Sequence, residues 1–188
     1  NYLFIAFSGE ELGLYGSKYY VEHPTIDLKT VNYMVNMDMV GRMNDSTKAV
    51  TVGGFGTSPT WGSLVRSDAK NGFTIKIDSS GTGPSDHTSF YRKDIPVLFF
   101  FTGLHTDYHK PGDDANKINY AGELMVLKYI FKVIELNNNM GKPVFTKTRE
   151  MQTTTNTRFK VTLGIMPDYS FSGEGVRVDG VSAGKTAE

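Results

Sequence analysis

Two adjacent carboxylates, Glu10 and Glu11, follow directly on the apolar run Tyr2–Phe7 near the start of the chain. The carboxyl end of a buried strand is where α/β sheets form their ligand crevices, so paired acids at this position can contribute to a binding site. An alternative is that both acids belong to the first turn of a helix and are favoured by its dipole. The three glycines among residues 9–16 favour the site, because they indicate backbone packed closely around a fixed position.

Asp38 is a further candidate, since it lies at the end of the apolar segment Val31–Met39. A buried carboxylate without a partner is costly, which predicts a cation or strong hydrogen bonds beside it. The competing interpretation is a turn acid or a helix cap that follows the strand.

Two of the four histidines, His105 and His109, lie within five residues of each other after the apolar strand that ends at Phe101. Their spacing fits one face of a helix, but Pro111 and Gly112 favour a loop. A loop histidine beside several acids is often an ordinary surface residue. The presence of two of the four histidines so close to a core strand favours a functional site over a surface position.

Ser85, Asp86 and His87 form the last candidate group, in a turn before a predicted short helix. Ser85 or Asp86 can be a simple N-cap. Serine, histidine and aspartate together also raise the alternative of a serine hydrolase triad. That alternative is weak, because the residues around Ser85 do not form the Gly-x-Ser-x-Gly elbow.

The elements that position these residues alternate between strands and helices. Strands are predicted at Tyr2–Phe7, Val31–Met39, Ala49–Val52, Phe73–Ile77 and Pro96–Phe101, and helices at Glu11–Glu22, Pro59–Lys70, Asp86–Arg92 and Ile118–Leu136. Most of the strands lack polar alternation, which indicates burial on both faces. This order predicts an α/β fold with a mostly parallel or mixed buried sheet flanked by helices. The last helix has an apolar stripe at three- and four-residue spacing, formed by Leu124, Leu127, Phe131 and Ile134.

The texture of the chain changes after residue 140. Residues 1–140 contain every candidate group, whereas residues 141–157 are polar without either hydrophobic period and are predicted to be a linker. Residues 158–188 contain two short strand patterns. About thirty residues cannot bury a core alone, so this β-rich unit is predicted to be truncated.

Composition narrows the classes of function. Lys plus Arg and Asp plus Glu both number 20, so the chain lacks the field of a nucleic-acid or anionic-membrane binder. Its longest apolar runs are far shorter than the roughly 20 residues that span a bilayer. Without cysteine, any metal must be held by carboxylates and imidazoles. The opening at Asn1 on a strand-like run predicts a piece of a longer precursor.

Taken in order, these segments resemble the co-catalytic zinc aminopeptidase family of metallopeptidase clan MH, which also includes glutaminyl cyclases and inactive receptor relatives. The resemblance covers about residues 1–140, the C-terminal part of the catalytic domain. It rests on Gly9-Glu10-Glu11-x-Gly13-Leu14-x-Gly16-Ser17, Asn36-Met37-Asp38-Met39-Val40-Gly41, Ser85-Asp86-His87-x-x-Phe90 with Ile95-Pro96-Val97 after it, and Tyr108-His109-x-Pro111-x-Asp113.

The resemblance implies a role for each matching residue. Glu10 would be the general base, and the Tyr108 hydroxyl would steady the tetrahedral intermediate. Glu11 and His109 would bind one zinc ion and Asp38 the other, so that two zinc ions activate a shared water. Support of the ligands or of a substrate pocket is the role implied for Asp86, His87 and Asp113.

These ligands must meet at one place. If the first two predicted strands are parallel neighbours, their carboxyl ends bring Glu11 and Asp38 to one edge of the sheet, and the loop after Phe101 must deliver His109 there. The family also has an upstream His-x-Asp segment that supplies the bridging acid and one imidazole, and no residue precedes Asn1 here. The chain alone is therefore predicted to be incomplete and weakly active or inactive.

The resemblance implies an exported, zinc-dependent aminopeptidase that acts on peptides. The alternatives are a glutaminyl cyclase-like enzyme with a single zinc ion and a catalytically inactive binding module of the same fold. Residues 158–188 resemble the start of a PDZ domain, which would bind peptide C-termini by strand addition. No nucleic-acid partner and no membrane span are predicted.

Overall fold

The structure is a computed structural model that describes residues 1–67, 72, 74–148, 165–167, 174–176 and 178–181. It divides into two compact units, Asn1–Glu150 and Met151–Glu188. The finer division at residues 140 and 157 stays a prediction. Residues 143–148 of the predicted linker lie along the first unit, where the Thr146 amide donates to the Thr57 carbonyl at 2.8 Å.

A four-stranded mixed sheet is the centre of the first unit. Its strands are β1 (Met34–Met37), β2 (Ala49–Gly53), β3 (Thr74–Ile77) and β4 (Val97–Phe101), in the spatial order β1-β4-β2-β3. β1 and β4 are parallel, with Asn36 opposite Phe99, whereas β2 is antiparallel to β4 and parallel to β3. The α/β fold with a mixed sheet is therefore confirmed. The carboxyl ends of β1 and β4 lie at the same edge, so the segments that follow them can share a site.

Helices cover both faces of this sheet. They are α1 (Tyr15–Glu22), α2 (Trp61–Ser67), α3 (His87–Tyr91) and α4 (Tyr120–Asn138). On one face, Trp61 of α2 and Val126 and Tyr129 of α4 pack with strand residues such as Phe100. On the other face, α1 and α3 contribute to a smaller cluster of Val21, Phe90, Tyr91, Ile95 and Val97. None of the described helices combines the length and apolar character that a bilayer-spanning helix needs.

The helix α4 packs mainly through a different row of residues from the stripe identified in the sequence, although Ile134 of that stripe does pack against the core. Leu124, Leu127 and Phe131 are 52%, 39% and 66% exposed. The buried row consists of Val126, Tyr129, Ile130 and Val133. Both rows satisfy the helical period, because this helix is apolar on two sides, so periodicity predicts the helix without predicting its buried face.

The opening segment differs from the prediction. Residues 2–7 form no strand in the structure, since a strand needs a hydrogen-bonded neighbour and β1 pairs with β4 instead. Tyr2, Leu3 and Phe4 are 59%, 53% and 89% exposed. The following helix begins at Tyr15 rather than Glu11, because residues 8–14 form a turn held by the Glu10 carbonyl, which accepts from the amides of residues 13 and 14.

The other predicted elements are present with somewhat different bounds: β2 extends one residue further than predicted, and α4 begins and ends two residues later. The strand predicted at Val31–Met39 is regular only over β1, and the ends of the elements predicted at Lys70 and Phe73 lie outside the described residues. In the second unit, β5 (Ile165–Pro167) and β6 (Val178–Val181) form an antiparallel pair with an irregularity at Pro167. The resemblance of this unit to a PDZ domain stays a prediction.

Candidate metal centre

The end of β1 presents Asp38 on a hydrogen-bonded support. Asn36 donates from Nδ2 to Ser85 Oγ at 2.8 Å, and Ser85 Oγ donates to Asp38 Oδ2 at 2.9 Å. Asn36 and Ser85 are buried, so neither side chain has much freedom to move. Met39 has a left-handed φ of 53°, and its carbonyl accepts from the Thr102 hydroxyl at 2.5 Å, which joins the ends of β1 and β4. Asp38 is thus fixed from both sides.

The turn before α1 presents Glu10 and Glu11. The Gly16 amide donates to the Ser8 carbonyl at 2.9 Å. A Cβ on Gly16 would lie 2.4 Å from that same oxygen, so only glycine fits there. The close backbone packing inferred from the glycine spacing is therefore present at Gly16, against the backbone of Ser8.

The loop after β4 brings His109 to Glu11. Nε2 of His109 lies 2.8 Å from Oε1 of Glu11, and the Tyr108 and His109 rings are stacked with centroids 3.8 Å apart. These residues line an open cleft of about 450 Å³. The residues around the cleft are Glu11, Met39, Gly41, Arg42, His105, Tyr108, His109, Asp113, Asp114, Ala115 and Ile118.

Glu10 lies within the field of the other acids. Partial burial and, to a smaller extent, repulsion from Glu11, Asp38 and Asp86 raise the pKa of its carboxyl from 4.5 to about 7, while His109 acts in the opposite direction. Four carboxylates close enough to act on one another form a concentration of negative charge that a cation would relieve.

The donor set fits zinc. Glu11 and His109 provide an oxygen and an imidazole nitrogen in contact, and Asp38 adds a second carboxylate, which are the ligand types that zinc takes in proteins without cysteine. The ligand atoms of Asp38, Glu11 and His109 do not all lie within 4.8 Å of one another. Asp38 is nevertheless close enough to this part of the site to raise the pKa of Glu10.

Asp86 and His87 lie behind the site in α3 and the turn before it. Asp86 is 8% exposed, and its Oδ1 has no hydrogen-bond partner among the described residues. Burial raises the pKa of Asp86, an effect that a hydrogen bond from Ser17 opposes. His87 is 1% exposed and stacks on Phe99 at 4.5 Å, and burial lowers its pKa to about 4. His87 is therefore a neutral core residue beneath the sheet edge.

Asp113 belongs to an ion-pair network that was not predicted from the sequence. Arg42 Nη1 donates to Asp113 at 2.6 Å, and Nη2 donates to Asp107 at 2.9 Å. The two contacts join residues that are 71 and 65 positions apart in the sequence. The one signal that could have predicted them is the pattern of charges, with an arginine after the Asp38 motif and several acids around His109.

A second group of metal-type ligands lies in the same loop. One ligand atom from each of His105, Asp107 and Asp113 lies within 4.8 Å of the others. Both carboxylates already have cationic partners, because Arg42 binds the two of them and Lys117 Nζ lies 2.8 Å from Asp107. These cations take the place that a metal would need, so this group is an ion-pair network.

Known proteins are similar to this chain in sequence and in fold. Aminopeptidase YwaD of Bacillus subtilis is 33% identical over 136 residues, which are 65% of this chain and 30% of that protein. Leupeptin-inactivating enzyme 1 of Streptomyces exfoliatus is 34% identical over 114 residues, 57% of this chain and 24% of that protein. The structure of BSAP, a zinc aminopeptidase from Bacillus subtilis, superimposes with a TM-score of 0.59 at 27% identity, covering 70% of this chain and 34% of that one.

The fold also occurs in a Porphyromonas gingivalis glutaminyl cyclase, with a TM-score of 0.52 at 15% identity over 70% of this chain and 49% of that one. The chain spans no more than about a third of the curated relatives that it matches. Within that span, residues 2–134 match peptidase family M28, a region that contains the Glu10–Glu11 turn, the β1 end and the His109 loop. The resemblance read from the motifs is confirmed: the chain belongs to peptidase family M28.

Proposed function

We propose that the full-length protein is a zinc-dependent aminopeptidase that removes N-terminal residues from peptides. The observation that carries this proposal is the 2.8 Å contact of Glu11 with His109, directly beside a glutamate, Glu10, whose pKa is raised to about 7. A pair of zinc-type ligands with a proton-accepting carboxylate next to it is the arrangement that metal-assisted peptide hydrolysis requires.

Two zinc ions per catalytic domain are part of the proposal. Glu11 and His109 would hold one ion, and Asp38 would hold the other. Bound zinc supplies Lewis acidity to the attacking water and to the scissile carbonyl. Three protein ligands are fewer than two zinc ions need, so the proposal places the remaining ligands in residues outside this chain.

Glu10 acts as the general base in this proposal. A carboxylate that is not a metal ligand can take a proton from the attacking water and return it to the leaving amine. Because Glu11 rather than Glu10 contacts His109, Glu10 stays available for proton transfer. Tyr108 lines the same cleft and would donate its hydroxyl to the oxygen of the tetrahedral intermediate.

An aminopeptidase must also hold the substrate's free α-amine, and an acid close to one of the metal ions would do so. Export of the protein, and a peptide-binding role for residues 158–188, are further proposals that rest on the family resemblance alone.

The test is Glu10→Gln in the full-length protein, with Glu22→Gln at the exposed end of α1 as the control. Loss of a general base should lower kcat by about 100-fold or more, with zinc content unchanged and the control unaffected. Turnover of an aminoacyl anilide and zinc content by elemental analysis are the measurements. Loss of zinc together with activity would make Glu10 a ligand. Cyclisation of N-terminal glutamine without anilide hydrolysis in the unmodified protein would refute the aminopeptidase.

A further inference from the structure

The ligand His109 lies on a segment with little structure of its own. Residues 102–119 connect β4 to α4, and Ala115–Lys117 form one 3-10 turn within them. His109 is 41% exposed and has a left-handed φ of 54°, a conformation that costs free energy for a residue with a Cβ. An exposed ligand in such a loop needs support from elsewhere to keep its position.

Arg42 forms ion pairs with this loop on both sides of His109. Its two terminal nitrogens donate separately to Asp107, two residues before the ligand, and to Asp113, four residues after it. A guanidinium is planar and rigid, so its fork fixes the separation of the two carboxylates, which a single ammonium group cannot do. Arg42 and Asp107 are 19% and 22% exposed, so solvent screens their contact less than the contact with Asp113, which is 41% exposed.

Arg42 is itself fixed to the segment that carries Asp38. It ends the 3-10 turn Val40–Arg42, which begins two residues after Asp38. The Asn119 amide donates to the Gly41 carbonyl at 2.8 Å, and this contact ties the turn to the start of α4. The backbone of Arg42 is therefore tied to the segment after Asp38 and to the start of α4, and its side chain links the His109 loop to the end of β1.

We propose that Arg42 is a positioning residue for zinc, which sets the distance between the Asp38 ligand and the His109 ligand. This inference rests on the proposed zinc function and adds a residue that acts through the His109 loop rather than as a metal ligand. Lys117 contributes less, because its exposed ammonium reaches Asp107 alone. Residues that orient metal ligands typically account for about 10–100-fold in metal affinity.

The test measures zinc affinity of the metal-free full-length protein by competition with a chelator, and the absorption spectrum of its cobalt form. Arg42→Met is expected to weaken zinc binding by about 10–100-fold and to alter the cobalt spectrum. Arg42→Lys should give an intermediate loss, since one ammonium cannot bridge both acids. Lys132→Met, which removes the 2.9 Å ion pair with Glu135 on the exposed side of α4, is the matched control and should leave both readouts unchanged.

A triple variant separates positioning from simple charge balance. Arg42→Met combined with Asp107→Asn and Asp113→Asn removes the repulsion between the two acids without restoring the fork. Zinc affinity should stay low if Arg42 positions the loop. Recovery to the wild-type affinity, or a wild-type affinity in Arg42→Met, would overturn the inference. An unmodified protein that binds no zinc would instead refute the proposed function itself.

Discussion

The two halves of the candidate site are built differently. Asp38 rests on Ser85 and Asn36, which are 2% and 8% exposed and joined by hydrogen bonds of 2.8 and 2.9 Å. Glu11 and His109 meet in solvent, with 67% and 41% of their side chains exposed. The buried half is positioned by the core beneath it, whereas the exposed half depends on a turn, a loop and the Arg42 fork. Substitutions should therefore affect stability and zinc affinity together in the first half, and affinity alone in the second.

The largest effect expected is on the exposed half. His109→Ala should weaken zinc binding by on the order of 100-fold or more, since each ligand carries a sizeable share of the roughly 10–16 kcal/mol of a four-ligand site. The unfolding free energy of the zinc-free protein should change by less than about 1 kcal/mol, because the side chain is exposed. Chelator competition and urea unfolding measure the two quantities. A large loss of zinc-free stability would show that this half is not independent of the core.

A pH-dependent change in stability is expected from His87, which lies beneath the buried half of the site. The native pKa of His87 is lowered from 6.5 to about 4, so between these values the unfolded chain binds a proton that the folded chain does not. Stability from this group is complete above pH 6.5 and is lost as pH falls towards 4, by about 3 kcal/mol. Glu10 and Asp86 have raised pKa values and act with the opposite sign, so the wild-type curve contains all three contributions.

The His87 contribution is isolated by subtraction. Urea unfolding of zinc-free wild type and of His87→Gln at several pH values should give a difference that shrinks on acidification. His23→Gln, at an exposed position directly after α1, is the control and should run parallel to wild type. Parallel curves for the His87 variant as well would mean that the imidazole takes up its proton without cost in the folded state.

A moderate effect should follow from Ser85→Ala. The change leaves the Nδ2 group of Asn36 and one oxygen of Asp38 without their shared partner, which should cost about 1–3 kcal/mol of stability. Zinc affinity should fall by about tenfold, because Asp38 loses its orientation. Ser63→Ala, on the exposed side of α2, is the control. Loss of affinity without loss of stability would show that the two properties are not coupled in the buried half.

The smallest effect is expected for Glu11→Gln in the zinc-free protein. Its ion pair with His109 is exposed, and exposed pairs contribute about 0–1 kcal/mol, so unfolding should change by no more than that. The same substitution should still weaken zinc binding strongly, since an amide is a poor replacement for a ligand carboxylate. A stability loss well above 1 kcal/mol would show that the contact holds the loop even without metal.

The same contrast decides what the sequence could predict. Glu10, Glu11 and Asp38 were identified because each follows an apolar run, and Gly16 sits where the glycine spacing requires close packing. The mixed α/β sheet followed from the alternation of apolar segments. These are local patterns, and local patterns are visible in one sequence.

The rest depends on contacts between distant residues. The Arg42 fork joins segments about 70 positions apart, and nothing in the local sequence of Arg42 distinguishes it from a surface arginine. The buried face of α4 could not be chosen, because both of its apolar rows have helical spacing. The composition of residues 2–7 is typical of a strand, but a segment forms a strand only where a neighbouring segment is hydrogen-bonded to it.

The unpaired edge of the sheet at β1 has a consequence for the solubility of the chain. β1 is an edge strand of the described sheet, and the exposed apolar residues Tyr2, Leu3 and Phe4 lie on the same unit as the exposed row of α4 that includes Phe131. Unpaired strand edges and large apolar surfaces are the features through which proteins aggregate. The 188-residue chain purified by itself should therefore self-associate as its concentration rises, and replacement of Phe4 and Phe131 by lysine should keep it dispersed.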